Sequence, residues 1–240
     1  TAAAASRVGL EAHIVVGGPP VEGSPNLGLM EQLGATVHQT ATDSRAEREA
    51  MVNRVASDAR AAGRHVKVLP VGGSEPAGAW GHVLAAIEVA GQAATHGFEP
   101  AAIILPTATG GTQAGLIVGS ALAFEKAPRI AGILVARTAD ELRPIVAGLV
   151  DELAAMAGIA TPAIAIEIDD THLGGGYGEP SVAASKAAVM LARTEGVLVD
   201  PVYTAKGLAG LIALVRSGAI DGEHAIFWHG GGLPALFEPR

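Results

Sequence analysis

Apolar and polar positions along the chain fall into alternating strand-like and helix-like blocks. An opening helical run, Thr1-Ala2-Ala3-Ala4-Ala5-Ser6-Arg7, precedes a strand over residues 12–16, a helix over about 26–33 that ends at Gly34, and a strand over 35–39. Ser44 and Glu47 have capping-box spacing at the head of a polar helix running to about residue 62, with Gly63 at its end and a strand over 65–69 behind it. The order repeats downstream as a helix over about 78–96, a strand over 101–105, a helix over 115–123, a strand over 130–136 and an amphipathic helix over 139–157. A strand over 163–168 and a helix over 181–194 follow; the helix over 204–216 carries Leu208, Leu211, Ile212 and Val215 on one face, and a last strand over 225–228 runs into a glycine turn. This alternation predicts an α/β fold, a parallel sheet covered by helices on both faces with ligands at the carboxyl ends of the strands. Residues 70–76 mark a crossing between two lobes.

Composition narrows the possibilities. With 240 residues, 49% hydrophobic side chains and a mean hydropathy of +0.37, the chain has material for a substantial core. Its longest apolar runs are broken by Gly, Pro or charge before membrane-spanning length, so no membrane helix is expected. The absence of cysteine excludes a disulfide scaffold, a thiolate metal site and a Cys nucleophile. A formal charge of −8 argues against nucleic acid as a partner and leaves small-molecule chemistry. None of the eight histidines pairs with another His or a carboxylate at ligand spacing, so no metal is expected, and His229 is the one placed near a site. The start lacks an initiator Met and shows no signal peptide; a cytoplasmic protein missing an upstream segment is the expectation.

Thr107-Ala108-Thr109-Gly110-Gly111-Thr112-Gln113-Ala114-Gly115-Leu116 places a glycine and hydroxyl turn between an apolar strand and an apolar helix. Backbone N–H groups at a helix start have no intrahelical partner, and the macrodipole favours an anion there. Glycines let the backbone approach a ligand, and the Thr109 and Thr112 hydroxyls add donors, so the turn is expected to hold a phosphorylated ligand. A plain strand-to-helix turn with a Thr cap is the alternative.

Three further loops could share the site: Gly72-Gly73-Ser74, Gly174-Gly175-Gly176-Tyr177-Gly178, and His229-Gly230-Gly231-Gly232 with Asp200-Pro201-Val202-Tyr203-Thr204. They hold the chain's only two tyrosines. Tyr177, flanked by glycines, either faces a ligand or fills a lobe interface. Thr204 either caps the following helix or, with Tyr203, points into a cleft.

In order and spacing, these motifs resemble the D-cysteine desulfhydrase and 1-aminocyclopropane-1-carboxylate deaminase family, over essentially the whole chain. The resemblance implies the tryptophan-synthase-β-like (type II) pyridoxal-phosphate fold: two open parallel-sheet lobes, residues 1–70 as the remnant of the small domain and 71–240 as the large one, with the cofactor between them. It implies that Thr109, Gly110, Gly111 and Thr112 hold the cofactor phosphate, that Thr204 faces the pyridine nitrogen, and that Gly231 belongs to the same binding set. Tyr177 and Tyr203 would stand near the substrate carboxylate and amine as orienting or proton-transferring groups. The implied activity is α,β-elimination on a small amino acid such as D-cysteine, giving a 2-oxo acid, ammonia and sulfide, by a homodimer. The alternatives are the deaminase branch, a hydrolase, or a cysteate-type lyase.

Two departures qualify the match. The lysine that carries the cofactor in this family, and a Ser-Asn-His segment, lie upstream of the helix with which this chain begins, and none of Lys67, Lys126, Lys186 or Lys206 stands in that lysine's context. A fragment of a longer polypeptide is the expectation, and a non-catalytic remnant or subunit is the rival. Gly230 stands where desulfhydrases carry Thr and deaminases Leu, and Thr204 where deaminases carry Glu, which argues against the deaminase. Ala108 replaces a common Gly, a mild change if its φ is negative. A nicotinamide-dependent oxidoreductase fits poorly: no G-x-G-x-x-G opens a helix, and residues 130–136 carry no carboxylate. The apolar 115–123 helix suits a dimer interface as well as a core.

Overall fold

Strands β3 (Ala102–Thr107) and β4 (Arg129–Leu134) are apolar almost without interruption, as strands covered on both faces must be. The computed structural model describes residues 1–238 and places them at the centre of a four-stranded parallel sheet, flanked by β5 (Glu167–Asp169) and β6 (Ala225–Phe227) in the order β5-β4-β3-β6. Alternate residues of the central strands serve opposite layers. Ile103 and Leu105 of β3 and Ile130 and Leu134 of β4 pack with helices α4 (Pro76–His96), α5 (Gly111–Ala123) and α6 (Ala139–Ala157). Ala102, Ile104, Ala131 and Ile133 face the other way, toward Leu211 and Leu214 of α8 (Thr204–Arg216), which also packs with α7 (Val182–Glu195). Each fully buried Ile or Leu here stabilises the fold by about 1.5–3 kcal/mol relative to an exposed one.

The chain divides into two compact units, Pro70–Leu233 and Thr1–Leu69 with the segment from Pro234 onward. The smaller unit holds α1 (Ala2–Arg7), β1 (His13–Val16), α2 (Pro25–Gln32), β2 (Thr36–Gln39) and α3 (Arg45–Ala61), with β1 and β2 paired in parallel. Its C-terminal segment is tied in by Ser24 and Asn26, which donate to the Glu238 carboxylate at 2.9 and 2.8 Å.

Helix α5 lies against α4 because it is small where they meet. A Cβ on Gly115 would come within 2.5 Å of the Ala79 carbonyl oxygen, and one on Gly119 equally close to that of Val83. The residues of α5 from Gln113 through Ser120 are buried, so this helix is core and not a dimer surface. Among the described residues, no helix is long and apolar enough to cross a membrane.

Several sequence expectations change. Residues 65–69 form no strand, and of the expected 163–168 strand only Glu167 and Ile168 pair, in a strand that runs on to Asp169. Helix α5 starts at Gly111, four residues before the apolar run that signalled it. At α3 the Ser44 hydroxyl accepts from Glu47 N, but the Glu47 carboxylate accepts from the N–H groups of Ala41 and Thr42, so only half of the capping box forms. The complete box stands instead at α6, between Thr138 and Glu141.

Candidate functional site

The turn between β3 and α5 has the left-handed Gly110 (φ +87°) as helix N-cap, and no side chain caps α5. Its first-turn N–H groups are therefore available, at the positive end of the helix dipole, to an anionic ligand. Ala108 keeps a negative φ, since Arg137 is the one non-glycine at positive φ among the described residues.

The segment before α4 closes over this turn. A Cβ at Gly72 would lie 2.5 Å from Thr109 Oγ1, and one at Gly111 would lie 3.0 Å from Ser74 Oγ. Ser74 Oγ donates to Thr109 Oγ1 at 2.6 Å. On the other side, Thr112 Oγ1 is 3.1 Å from Nε2 of His82, whose ring meets Trp228 edge-on at 6.3 Å between centroids. Burial holds the His82 pKa below the ordinary imidazole value, favouring the neutral ring. The Thr109 and Thr112 hydroxyls, the first oriented by Ser74, and an uncapped helix end, with no room for a side chain at Gly72 and little at Gly111, form a donor set suited to a phosphate monoester.

Trp228 follows β6 and leads into the second part of the site. His229 Nε2 is 2.7 Å from the Leu198 carbonyl oxygen, and its Nδ1 accepts from Gly231 N at 3.3 Å. A Cβ on Gly232 would overlap the Asp200 carboxylate. Asp200 is wholly buried and organises the start of α8. Its Oδ2 accepts from the N–H groups of Val202 and Tyr203, and its Oδ1 from Thr204 N, at 2.8–2.9 Å. Thr204 is thus not the helix cap; the N-cap is Tyr203, without a capping side chain of its own, and the Asp200 carboxylate does the capping. The Thr204 hydroxyl donates to Asp200 Oδ1 at 2.6 Å and accepts from Asp200 N at 2.8 Å.

Tyr177 and Tyr203, remote in sequence, meet here. Their hydroxyl oxygens are 2.5 Å apart and their rings pack edge to face, with centroids at 5.9 Å. Burial, the bond to Tyr177 and the nearby Tyr177 and Asp200 charges all push the Tyr203 pKa up, so its phenol stays protonated and serves as a hydrogen-bonding group, not as a base near neutral pH. Tyr177 is 60% exposed. Of the sequence candidates, the structure places Thr109, Gly110, Gly111 and Thr112 in one turn, Tyr203 and Thr204 on Asp200, Tyr177 against Tyr203, and Gly231 beside His229. His82, the Asp200 carboxylate and the burial of Lys206 were not anticipated. An Asp just before a helix was a readable cap signal, whereas nothing in sequence ties His82 to Thr112.

The chain resembles known proteins along nearly its full length. The model of the family "Pyridoxal-phosphate dependent enzyme" matches residues 1–231. The D-cysteine desulfhydrase of Yersinia pestis (strain Pestoides F) is 38% identical over 184 residues, 76% of this chain and 55% of that protein. That of Salmonella paratyphi C (strain RKS4594) is 36% identical over 196 residues, 81% of this chain and 59% of that protein. The chain therefore spans little more than half the length of these curated relatives. Among solved structures, an ACC deaminase homologue superposes with a TM-score of 0.86 at 29% identity, covering 97% of this chain and 69% of that one. The serine racemase from Dictyostelium discoideum, at 15% identity and a TM-score of 0.63 over 96% of this chain and 71% of that one, shares the fold. The chain belongs to the pyridoxal-phosphate dependent enzyme family and has its tryptophan-synthase-β-like fold.

Proposed function

We propose that this chain provides the cofactor and substrate site of a carbon–sulfur lyase that acts on D-cysteine or a close β-substituted amino acid. The reading rests on one observation above all: the uncapped α5 start, ringed by Ser74, Thr109 and Thr112, has the donors a phosphate ester needs. In this reading, Thr109, Gly110, Gly111 and Thr112 hold the phosphate of pyridoxal 5′-phosphate, and Gly231 and Thr204 line the remainder of its site. Residues 71–240, apart from the segment from Pro234 onward that packs with the smaller unit, act as the large, cofactor-binding domain and 1–70 as the remainder of the small one. When bound, the cofactor supplies the electron sink for the charge left at the substrate Cα.

The chain's own residues bind and orient. The neutral Tyr203 phenol offers a hydrogen bond toward the substrate carboxylate or amine, and Tyr177, bonded to it, fixes its direction. Thr204 brings a neutral hydroxyl, already committed to Asp200, to the pyridine side. Lys206 is held by two backbone carbonyls, so the chain's contribution is binding and orientation more than proton abstraction. The net reaction breaks the Cα–H and Cβ–S bonds of D-cysteine and, with one water, yields a 2-oxo acid, ammonia and hydrogen sulfide. The 38% identity to D-cysteine desulfhydrases supports this over the cyclopropane deaminase, which the structural likeness to an ACC deaminase homologue keeps as the second reading. A cysteate-type lyase and a non-catalytic subunit are further outcomes of the same assay. The proposal includes a cytoplasmic homodimer; Leu84 and Ile87, exposed on α4, are available for such a contact.

The test supplies the cofactor-loaded full-length protein with D-cysteine, L-cysteine, cysteate and 1-aminocyclopropane-1-carboxylate. Sulfide and 2-oxo acid in equal amounts from D-cysteine are expected. Formation of 2-oxobutanoate from the cyclopropane without sulfide from D-cysteine would establish the deaminase, and no turnover of any of them the non-catalytic subunit.

A further inference from the structure

Lys206 is wholly buried, yet neither the phosphate turn nor the tyrosine pair uses it. It lies in the first turn of α8, and its Nζ donates to the carbonyl oxygens of Leu173 at 2.8 Å and Gly176 at 2.7 Å. Both belong to the connection between β5 and α7, where Gly174, Gly176 and Gly178 all take positive φ. So glycine-rich a stretch has many accessible conformations, and holding one of them requires contacts from outside. The loop's own backbone bonds are long: Leu173 N to Asp170 O and Glu179 N to Gly176 O, both 3.3 Å. The ammonium lies between carbonyls on either side of Gly174 and Gly175, gathering them as a bound monovalent cation would. Tyr177 directly follows Gly176, so fixing the Gly176 carbonyl fixes the backbone from which the Tyr177 hydroxyl reaches Tyr203.

We propose that Lys206 is a built-in cation of the glycine loop: its ammonium, held between the Leu173 and Gly176 carbonyls, sets the loop so that Tyr177 meets Tyr203. It is a positioning residue that acts through the loop. Its bearing on substrate orientation rests on the function proposed above, while the contact it controls exists in the cofactor-free chain.

Because the chain has only two tyrosines, the contact can be read directly as a nuclear Overhauser cross-peak between their rings in tyrosine-labelled full chain. The cross-peak is expected in the unaltered chain and lost in both Lys206→Ala and Lys206→Met, the second of which keeps the apolar stem. Lys206→Ala removes the atoms of a propylammonium ion, so added propylammonium is expected to restore the cross-peak and its neutral isostere propan-1-ol is not. Absence of the cross-peak in the unaltered chain, its survival in either folded variant, restoration by propan-1-ol, or failure of propylammonium to restore it in a folded Lys206→Ala chain would each overturn the proposal. Unfolding of Lys206→Ala leaves Lys206→Met to decide, and unfolding of both overturns it as well, because a residue that positions one loop leaves the rest of the fold intact. Retention of pyridoxal phosphate is measured alongside: its loss from the unaltered chain counts against the cofactor reading and leaves the cross-peak result standing.

Discussion

The Thr204 hydroxyl donates to the Asp200 carboxylate at 2.6 Å while the Asp200 N–H donates back to Thr204 Oγ1 at 2.8 Å, a reciprocal pair that anchors the start of α8 in the core. The same carboxylate accepts three backbone N–H groups. Asp200→Ala leaves these donors without a partner in a buried place and should cost about 2–3 kcal/mol. Thr204→Val removes one hydroxyl of similar volume and should cost about 1–2 kcal/mol. Urea denaturation midpoints check both; equal, negligible losses would show that the pair does not hold the helix.

At the phosphate turn, replacing Thr109 or Thr112 by Val removes one donor to an anionic ligand. Such a bond contributes about 1.5–3 kcal/mol, so pyridoxal phosphate affinity should fall roughly tenfold or more for each. A bulky apolar residue at either position should abolish retention. Equilibrium dialysis against the cofactor measures the change.

Alkaline pH tests Tyr203. The unfolded phenol titrates near 10.0, while burial and its neighbours hold the folded one higher, so above pH 10 the unfolded chain releases a proton that the folded chain keeps. Stability should therefore be intact below pH 10 and decline as pH rises through the folded pKa. Tyr203→Phe should flatten that decline, as seen in melting temperatures across the alkaline range.

Acid tests His82 in the opposite direction. Its folded pKa lies below 6.5, so as pH falls through that value the unfolded chain takes up a proton that the folded ring resists. Stability should be full above pH 6.5 and fall below it, with His82→Gln reducing the slope. Melting temperatures in mildly acidic buffers, compared between the two chains, check this.

At Gly230 an added Cβ would meet nothing within 4 Å, although its neighbour Gly232 leaves no room beside Asp200. Gly230→Thr should change stability by less than about 0.5 kcal/mol. If Gly230 borders the substrate, the same change should alter the ratio of D-cysteine to cysteate turnover. Competition assays on the two variants give that ratio.

Much of this was legible in the sequence because local patterns carried it. The extents of α6 and α8 followed from their amphipathic patterns, and the structure adds the Thr138, Glu141 and Gly158 caps at the two ends of α6. Residues 65–69 alternate as a strand should but pair with nothing, since strand formation needs a neighbour that sequence periodicity does not specify. The phosphate turn was visible as glycines and threonines between two apolar elements. The Gly72-Gly73-Ser74 loop was visible too, as a candidate to share the site, but His82 was not, since it reaches Thr112 only through the packing of α4 on α5. The sequence showed only that Lys206 stands outside the cofactor lysine's context; its burial was hidden, because its carbonyl partners lie in a loop some 30 residues earlier.

The central claim is that the α5 start binds the cofactor through its phosphate. Titrating the full chain calorimetrically with pyridoxal 5′-phosphate and, separately, with pyridoxal isolates that contribution. Tight binding of the phosphorylated form, roughly a hundredfold or more weaker binding of pyridoxal, which lacks the anion those several donors meet, and loss of the difference in Thr109→Val with Thr112→Val are predicted. Equal affinity for the two ligands would contradict it.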